Sequence, residues 1–312
     1  MVRDVAALIE EAEQGNRRAL ARLISFVEDY VPAGLEALRL LYPRGGAAMT
    51  TGFTGAPGAG KSTLVAGAIG EIRSTGSHVG VIAVDPSSPF SGGAILGDRV
   101  RMQAHVDDAG VYVRSMANRG HLGGIAAATP RVATVLDALG FAEIIVETVG
   151  VGQAEVEVAT TADTTVVVVN PGWGDSVQAA KAGLLEVGDV FAINKADRPG
   201  VEETERELAQ MLDLGAARPW RPPIVRTVAV RDEGIAELWH AISAHRSHLA
   251  ASGELAERRE GRARHELESA VAVALRARIA EGDGTLSAGL LADVVARRVD
   301  PWCAAEDLFS PE

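Results

Sequence analysis

The sequence of 312 residues lacks the cysteines that a disulfide framework would need, because Cys303 is its single thiol. One thiol also excludes a thiolate metal cluster within one chain. Long hydrophobic runs are missing as well, since no apolar stretch approaches the roughly 18 residues of a membrane span. Basic residues are not in excess, and the formal net charge is −12. We therefore expect a cytoplasmic protein whose main partners are neither nucleic acids nor membranes.

Apolar residues make up 47% of the chain, which is enough for a well-buried core. In the middle of the sequence, short apolar runs alternate with helix-favouring stretches. Runs that are continuously apolar are typical of strands covered on both faces, as in a parallel sheet. The predicted strands are Met49–Thr54, Val79–Val84, Val111–Arg114, Glu143–Glu147, Thr165–Asn170, Val190–Asn194 and Ile224–Val228. This pattern predicts an α/β fold with a doubly wound, mostly parallel sheet.

Helical segments flank this region on both sides. Two amphipathic helices are predicted near the N-terminus from apolar residues at helical spacing, namely Val5, Leu8, Ile9 and Ala12, then Leu20, Leu23, Ile24 and Val27. The predicted organisation is a helical segment 1–45, a nucleotide-binding domain 46–250 and a helical segment 251–312. The last segment is either a solvated helix packed on the domain or a dimerisation arm.

A phosphate-binding motif follows the first predicted strand. The stretch "GAPGAGKST" has the spacing G-x-x-x-x-G-K-[ST] and precedes a helix. Its glycines let backbone N–H groups curl around the β-phosphate, its lysine reaches the β- and γ-phosphates, and its serine is a ligand for Mg²⁺. The alternative is a glycine-rich turn. The residues predicted to contact nucleotide are Gly55, Ala56, Pro57, Gly58, Ala59, Gly60, Lys61, Ser62 and Thr63.

A second motif, "NKAD", ends the strand Val190–Asn194 and indicates guanine recognition. A carboxylate at Asp197 can accept hydrogen bonds from guanine N1 and N2, whereas adenine offers no such pair of donors. Each charge-assisted hydrogen bond is worth about 1.5–3 kcal/mol. We expect Lys195 to cover the base face and Asn194 to tie this loop to the phosphate loop. The residues Val228 and Ala229 stand where a backbone N–H meets guanine O6.

Three carboxylates are candidates for holding Mg²⁺ beside Ser62. Asp85 and Glu147 each stand at the carboxyl end of a predicted strand, the edge at which α/β sheets bind ligands. Asp98 lies in a glycine-rich loop that could cover the phosphates. Oxygen ligands of this kind suit Mg²⁺, directly or through water. Any one of the three could instead cap a helix or a turn.

The stretch "ETVGVGQ" resembles a γ-phosphate sensor, with Gly150 as the sensing residue and Val151 in the next position. Well-understood GTPases have a glutamine there, and a valine cannot orient the attacking water. Gln153 would reach the water only after the loop rearranges. With Lys61, Glu147, Gly150 and Gln153 as the catalytic set, we expect slow hydrolysis by the protein alone, because positioning and charge stabilisation supply most phosphoryl-transfer catalysis.

Longer stretches between about residues 40 and 240 combine these motifs. They are "GFTGAPGAGKSTL", "VIAVDPSSPFSGGAILGDRVRM", "RSMANRGHLGGIAAAT", "VETVGVGQAEVEVA", "NPGWGDSVQAAKAGLLEVGDVFAINKAD" and "GIAEL". Taken together, they resemble the MeaB/ArgK-type P-loop GTPases. The resemblance implies a GTP- and GDP-binding chaperone that gates adenosylcobalamin loading. It also implies that this chaperone protects or reactivates a cobalamin-dependent acyl-CoA mutase, usually methylmalonyl-CoA mutase.

The resemblance further implies a switch that signals to the mutase, within residues 170–181. Its candidate contact residues are Asp175, Gln178 and Lys181, although Ser176 departs from the acidic residue expected there. A homodimer formed through the C-terminal helices is also implied.

The alternative function is a small-molecule kinase or a transport-associated ATPase of the LAO/AO transport kinase type. A kinase needs an acceptor pocket with a general base, and no dedicated substrate-binding insertion is evident.

Overall fold

The computed structural model describes residues 4–86, 105, 107–118, 128–148, 154–172, 178–215, 218–281 and 288–307. The chain divides into two units, Met1–Arg259 and Glu260–Glu312. The strands are β1 (Met49–Thr54), β2 (Val79–Pro86), β3 (Val111–Asn118), β4 (Glu143–Thr148), β5 (Thr164–Val169), β6 (Val190–Asn194) and β7 (Ile224–Thr227). The helices are α1 (Val5–Glu13), α2 (Arg17–Glu28), α3 (Pro32–Leu41), α4 (Lys61–Ser74), α5 (Thr129–Ala138), α6 (Ala154–Thr161), α7 (Gln178–Val187), α8 (Val201–Leu214), α9 (Ile235–Ser252), α10 (Glu254–Glu281), α11 (Ala288–Val295) and α12 (Pro301–Asp307).

The strands form one sheet in the order β3-β2-β4-β1-β5-β6-β7, and every described pairing is parallel. Every residue of β5 and of β6 is buried, which explains why their sequences are continuously apolar. The predicted α/β class is confirmed. Because the strands are parallel, the carboxyl ends of β1, β4, β6 and β7 lie at one edge of the sheet, which we call the carboxyl edge.

Three helices, rather than the two predicted, precede the sheet. The additional helix α3 begins at Pro32, where proline is favourable because the first helical N–H needs no partner within the helix. Gly34 lets α3 approach α2 closely, since a Cβ there would lie 2.2 Å from the Phe26 carbonyl oxygen. The three helices share one buried cluster with α5 and one face of the sheet, including Leu23, Tyr112 and Met116.

The opposite face of the sheet is covered by α4 and α9. Their buried residues, such as Leu64 and Ile242, pack with Val81 and Ile145 of the sheet. The start of α4 is therefore held by core packing directly behind the loop that follows β1.

The second unit consists of the later part of α10 together with α11 and α12. The sequence patterns did not predict α12. Pro301 occupies the first turn of α12, as Pro32 does in α3. Leu267 and Val271 of α10 are 66% and 58% exposed. Within the part of the chain that the structure describes, no helix is both long and apolar enough to cross a membrane.

Candidate nucleotide-binding site

The loop between β1 and α4 has a backbone that requires glycine. Gly55 and Gly60 have φ values of 131° and 97°, in the left-handed region that side chains disfavour. Space is also missing: a Cβ on Gly55 would lie 2.1 Å from the Val168 carbonyl oxygen, and one on Gly60 would lie 2.2 Å from Asn194 Nδ2. The loop leads directly into the N-terminus of α4. The backbone N–H groups and the dipole at a helix N-terminus favour a phosphate.

Lys61 is the first residue of α4, and its side chain is only 6% exposed. Its Nζ donates hydrogen bonds to the carbonyl oxygens of Gly55 at 2.7 Å and Ala56 at 3.1 Å. The ammonium group thus lies inside the curve of the loop. A cation in this position suits the β- and γ-phosphates of a nucleotide.

Ser62 and Glu147 meet beside this loop. Ser62 Oγ donates a hydrogen bond to Glu147 Oε1 at 2.5 Å, and both residues are buried. Glu147 belongs to β4, where it pairs in register with Phe53 of β1. Hydroxyl and carboxylate oxygens are ligands that Mg²⁺ accepts. The chemistry of these two donors therefore fits a magnesium ion.

Asn194, at the end of β6, connects three segments. Its Nδ2 donates to the Ala59 carbonyl oxygen at 2.9 Å, in the phosphate loop. Its Oδ1 accepts from Thr227 Oγ1 at 3.3 Å and from the Ala229 backbone N–H at 3.1 Å. Thr227 is the last residue of β7, and Ala229 follows that strand. This buried amide holds the predicted base-binding segments in register with the phosphate loop.

Lys195 and Asp197 follow Asn194 at the same edge. Lys195 has φ of 59°, and its Nζ donates to the Gly58 carbonyl oxygen at 2.6 Å. Its aliphatic stem therefore extends from the base-binding segment to the phosphate loop. The Asp197 side chain is 40% exposed, as a group that reads a ligand must be. Val228 and Ala229 lie immediately after β7, and Ala229 begins a short 3-10 turn.

The remaining predicted residues divide into two groups. Asp85 lies in β2, in register with Ala117 of β3, and Gln178 and Lys181 lie in α7. The other predicted residues fall outside the described ranges, and they are Asp98, Gly150, Gln153 and Asp175.

The model of the family described as "Methylmalonyl Co-A mutase-associated GTPase MeaB" matches residues 20–283. The chain belongs to the MeaB family. An inferred GTPase of Pyrococcus abyssi is 48% identical over 307 residues, which cover 96% of this chain and 94% of the relative. The GTPase ArgK of Escherichia coli is 37% identical over 267 residues, covering 82% of this chain and 80% of ArgK.

A solved structure with the same architecture is that of a LAO/AO transport system kinase. It is 26% identical, has a TM-score of 0.72, and the match covers 97% of this chain and 96% of that chain. The expected resemblance to MeaB/ArgK-type proteins is thereby confirmed. This MeaB-family protein is a GTPase, which binds GTP and GDP and hydrolyses GTP.

Proposed function

We propose that this GTPase is a chaperone of an adenosylcobalamin-dependent acyl-CoA mutase, whose cofactor loading it gates and which it protects or reactivates. The family description names methylmalonyl-CoA mutase, which makes that enzyme the first candidate. The observation that carries the proposal is a mismatch between binding and catalysis. The groups that hold the nucleotide are present, whereas Val151 occupies the position next to Gly150 that a water-orienting glutamine fills elsewhere.

In this proposal the phosphates lie against the loop between β1 and α4, and Lys61 neutralises charge on the β- and γ-phosphate oxygens. Asp197 accepts hydrogen bonds from guanine N1 and N2, which selects guanine over adenine. Asn194 ties the two halves of the site, because it bonds to both the phosphate loop and the segment after β7.

Ser62 and Glu147 would hold Mg²⁺, together with Asp85 and Asp98. When bound, Mg²⁺ would supply positive charge that offsets the negative charge of the phosphate oxygens. The Ser62 hydroxyl donates a hydrogen bond to Glu147 Oε1, and hydroxyl and carboxylate oxygens are both ligands that Mg²⁺ accepts.

Slow hydrolysis follows from the missing glutamine. A partner that orders Gln153, or that contributes its own group, would position the water and complete the site. The bound GTP then marks a conformational state, and the partner decides how long that state lasts. We assign the contact with the mutase to the segment that contains Asp175, Gln178 and Lys181.

Dimerisation through the C-terminal helices completes the proposal. Exposed apolar residues support it, because monomeric proteins rarely leave a contiguous apolar face in water. In α10 these residues are Leu267 and Val271, and in α11 they are Leu291 and Val295.

The test is GTP turnover by the purified protein, with and without an adenosylcobalamin-dependent mutase. We expect a basal rate of about 10⁻⁴–10⁻² s⁻¹, in the range of intrinsic GTPases, and a rise on adding methylmalonyl-CoA mutase. Lys181→Ala should leave the basal rate unchanged and reduce the stimulated rate. Fast turnover without a partner, or an unchanged rate with saturating mutase, contradicts the proposal.

The alternative of a small-molecule kinase is tested in the same reaction. With γ-labelled GTP, a chaperone GTPase releases all label as inorganic phosphate. Label on an organic acceptor, such as an amino acid, would instead support the kinase activity in the name of the LAO/AO transport system kinase.

A further inference from the structure

Arg231 lies between two carboxylates beside the proposed guanine site. It is the last residue of the 3-10 turn Ala229–Arg231, and the next residue, Asp232, has φ of 56°. Its Nε is 2.9 Å from Glu233 Oε1, and its Nη2 is 3.9 Å from Asp197 Oδ2. The guanidinium thus lies alongside the carboxylate proposed to read the base.

The backbone fixes this arrangement. Asn194 of β6 pairs in register with Thr227 of β7, and the Ala196 N–H donates to the Thr227 carbonyl oxygen at 3.0 Å. The Val228 N–H donates to the Glu233 carbonyl oxygen at 2.9 Å, which closes the turn that carries Arg231. The segments of Asp197 and Arg231 are therefore held together by backbone hydrogen bonds.

Recognition of guanine N1 and N2 requires both carboxylate oxygens of Asp197 to lie in the plane of the base. The Asp197 side chain is 40% exposed, so in water it would adopt several rotamers. A guanidinium has its donors in a rigid plane and restricts a neighbouring carboxylate more than an ammonium does. Glu233 binds that guanidinium through Nε at 2.9 Å and Nη2 at 3.3 Å, and these two contacts limit the rotation of the guanidinium.

We infer that Arg231 is a positioning residue for guanine specificity, which orients the Asp197 carboxylate toward the base. The inference rests on the proposed assignment of Asp197 to guanine. It does not involve the phosphates, so its effect is confined to the base.

Inosine nucleotides isolate that effect, because IDP lacks the 2-amino group that donates to the second carboxylate oxygen. The measured quantity is the ratio of the Kd for IDP to the Kd for GDP, by calorimetry. Arg231→Ala should lower this ratio about threefold to fivefold, the size expected for an exposed ion pair, and Arg231→Lys should restore part of it. A merely structural role would weaken both nucleotides equally and leave the ratio unchanged.

Arg198→Ala is the matched control, since it removes an exposed positive charge from the residue next to Asp197. It should leave the ratio unchanged, whereas an equal decrease in this variant would attribute the effect to general electrostatics and overturn the inference. Asp197→Ala should bring the ratio close to one. If it does so and Arg231→Ala leaves the ratio at its original value, the positioning role is wrong. If Asp197→Ala itself leaves the ratio unchanged, the proposed guanine assignment fails, and the inference fails with it.

Discussion

The two edges of the sheet use polar side chains in different ways. At the carboxyl edge, Lys61 and Lys195 donate to backbone carbonyl oxygens of a loop proposed to bind phosphate. At the opposite edge, which we call the amino edge, carboxylates at the beginnings of strands pair with arginines of α9 and α10. These pairs are Glu143 with Arg246, Asp163 with Arg259 and Asp189 with Arg258.

Two of these carboxylates repeat one arrangement on neighbouring strands. The Asp163 N–H donates to the Thr50 carbonyl oxygen at 2.8 Å, and Asp163 Oδ2 accepts from the Thr50 N–H at 2.9 Å. Asp189 does the same with Thr165, whose N–H lies 2.8 Å from Asp189 Oδ2. Each carboxylate therefore accepts from one N–H near the beginning of a strand and pairs with an arginine at once.

The comparison distinguishes residues that stabilise the fold from residues that are proposed to bind nucleotide. Groups at the amino edge have partners within the protein, so their removal should destabilise the fold. Groups at the carboxyl edge are proposed to contact a nucleotide, so their removal should impair binding while the fold persists. The predictions below test that separation, beginning with the largest effect.

Lys61→Ala should reduce GTP affinity or turnover at least about 100-fold, because the lost ammonium contacts charge that develops on the phosphate oxygens. The free energy of unfolding should change by less than about 1 kcal/mol, since removal of a buried cation also removes its desolvation cost. Calorimetric GDP and GTP titrations and urea unfolding measure the two quantities. A large loss of stability with normal nucleotide binding would contradict the proposed role of the carboxyl edge.

Asp189→Ala should destabilise the fold and leave nucleotide binding nearly unchanged. It leaves the Arg258 guanidinium and the Thr165 N–H without their carboxylate, which should lower the free energy of unfolding by about 3 kcal/mol. The GDP affinity of the folded protein should remain within about twofold, because the nucleotide loop lies at the other edge. Urea unfolding followed by circular dichroism measures the first effect, and a loss of GDP affinity without destabilisation would refute the assignment.

The sequence motifs indicated that Lys61 and Asn194 lie at the carboxyl edge, and the structure brings them together there. No motif indicated the ion pairs of the amino edge. The motifs around Lys61 and Asn194 are contiguous, and their spacing is fixed by the phosphate and base that they are expected to bind. Arg258 and Asp189 are 69 positions apart, and no spacing rule connects such residues. An aspartate directly before a buried strand, as at Asp163 and Asp189, is the one available signal. The helix α3 was missed because Pro32 and Gly34 are usually breakers, whereas here they begin the helix and permit close packing.

His245 makes the amino edge sensitive to pH. It is fully buried in α9, with Nδ1 2.9 Å from Thr164 Oγ1 and Nε2 3.3 Å from Asp189 Oδ1. Burial is the main cause that lowers the pKa of His245 to about 4. The carboxylates of Asp189 and Glu254 oppose this shift, whereas the positive charges of Arg258 and His248 add to it. Between about pH 6.5 and pH 4 the unfolded chain therefore binds a proton that the folded protein does not.

Stability should consequently be complete above about pH 6.5 and fall as the pH decreases toward 4, by up to about 3 kcal/mol from this residue. Urea unfolding at several pH values measures the loss, and His245→Gln, which cannot titrate, is the control. The two proteins should differ in the slope of stability against pH within this window. Parallel slopes would show that His245 is not held neutral by the fold.

The smallest effect is expected for an ion pair that belongs to neither edge. Asp213 of α8 lies 2.7 Å from Arg221, but the two side chains are 58% and 68% exposed. Water and salt screen such a pair, and the ordering of the long Arg221 side chain opposes it, so Asp213→Ala should change the free energy of unfolding by less than about 0.5 kcal/mol. A double-mutant cycle with Arg221→Ala isolates the coupling from other effects of each substitution.

A coupling above about 1 kcal/mol would mean that charge pairing by itself stabilises this protein. A small coupling beside a large loss in Asp189→Ala would mean that the amino edge stabilises through burial and through its hydrogen bonds to the strands.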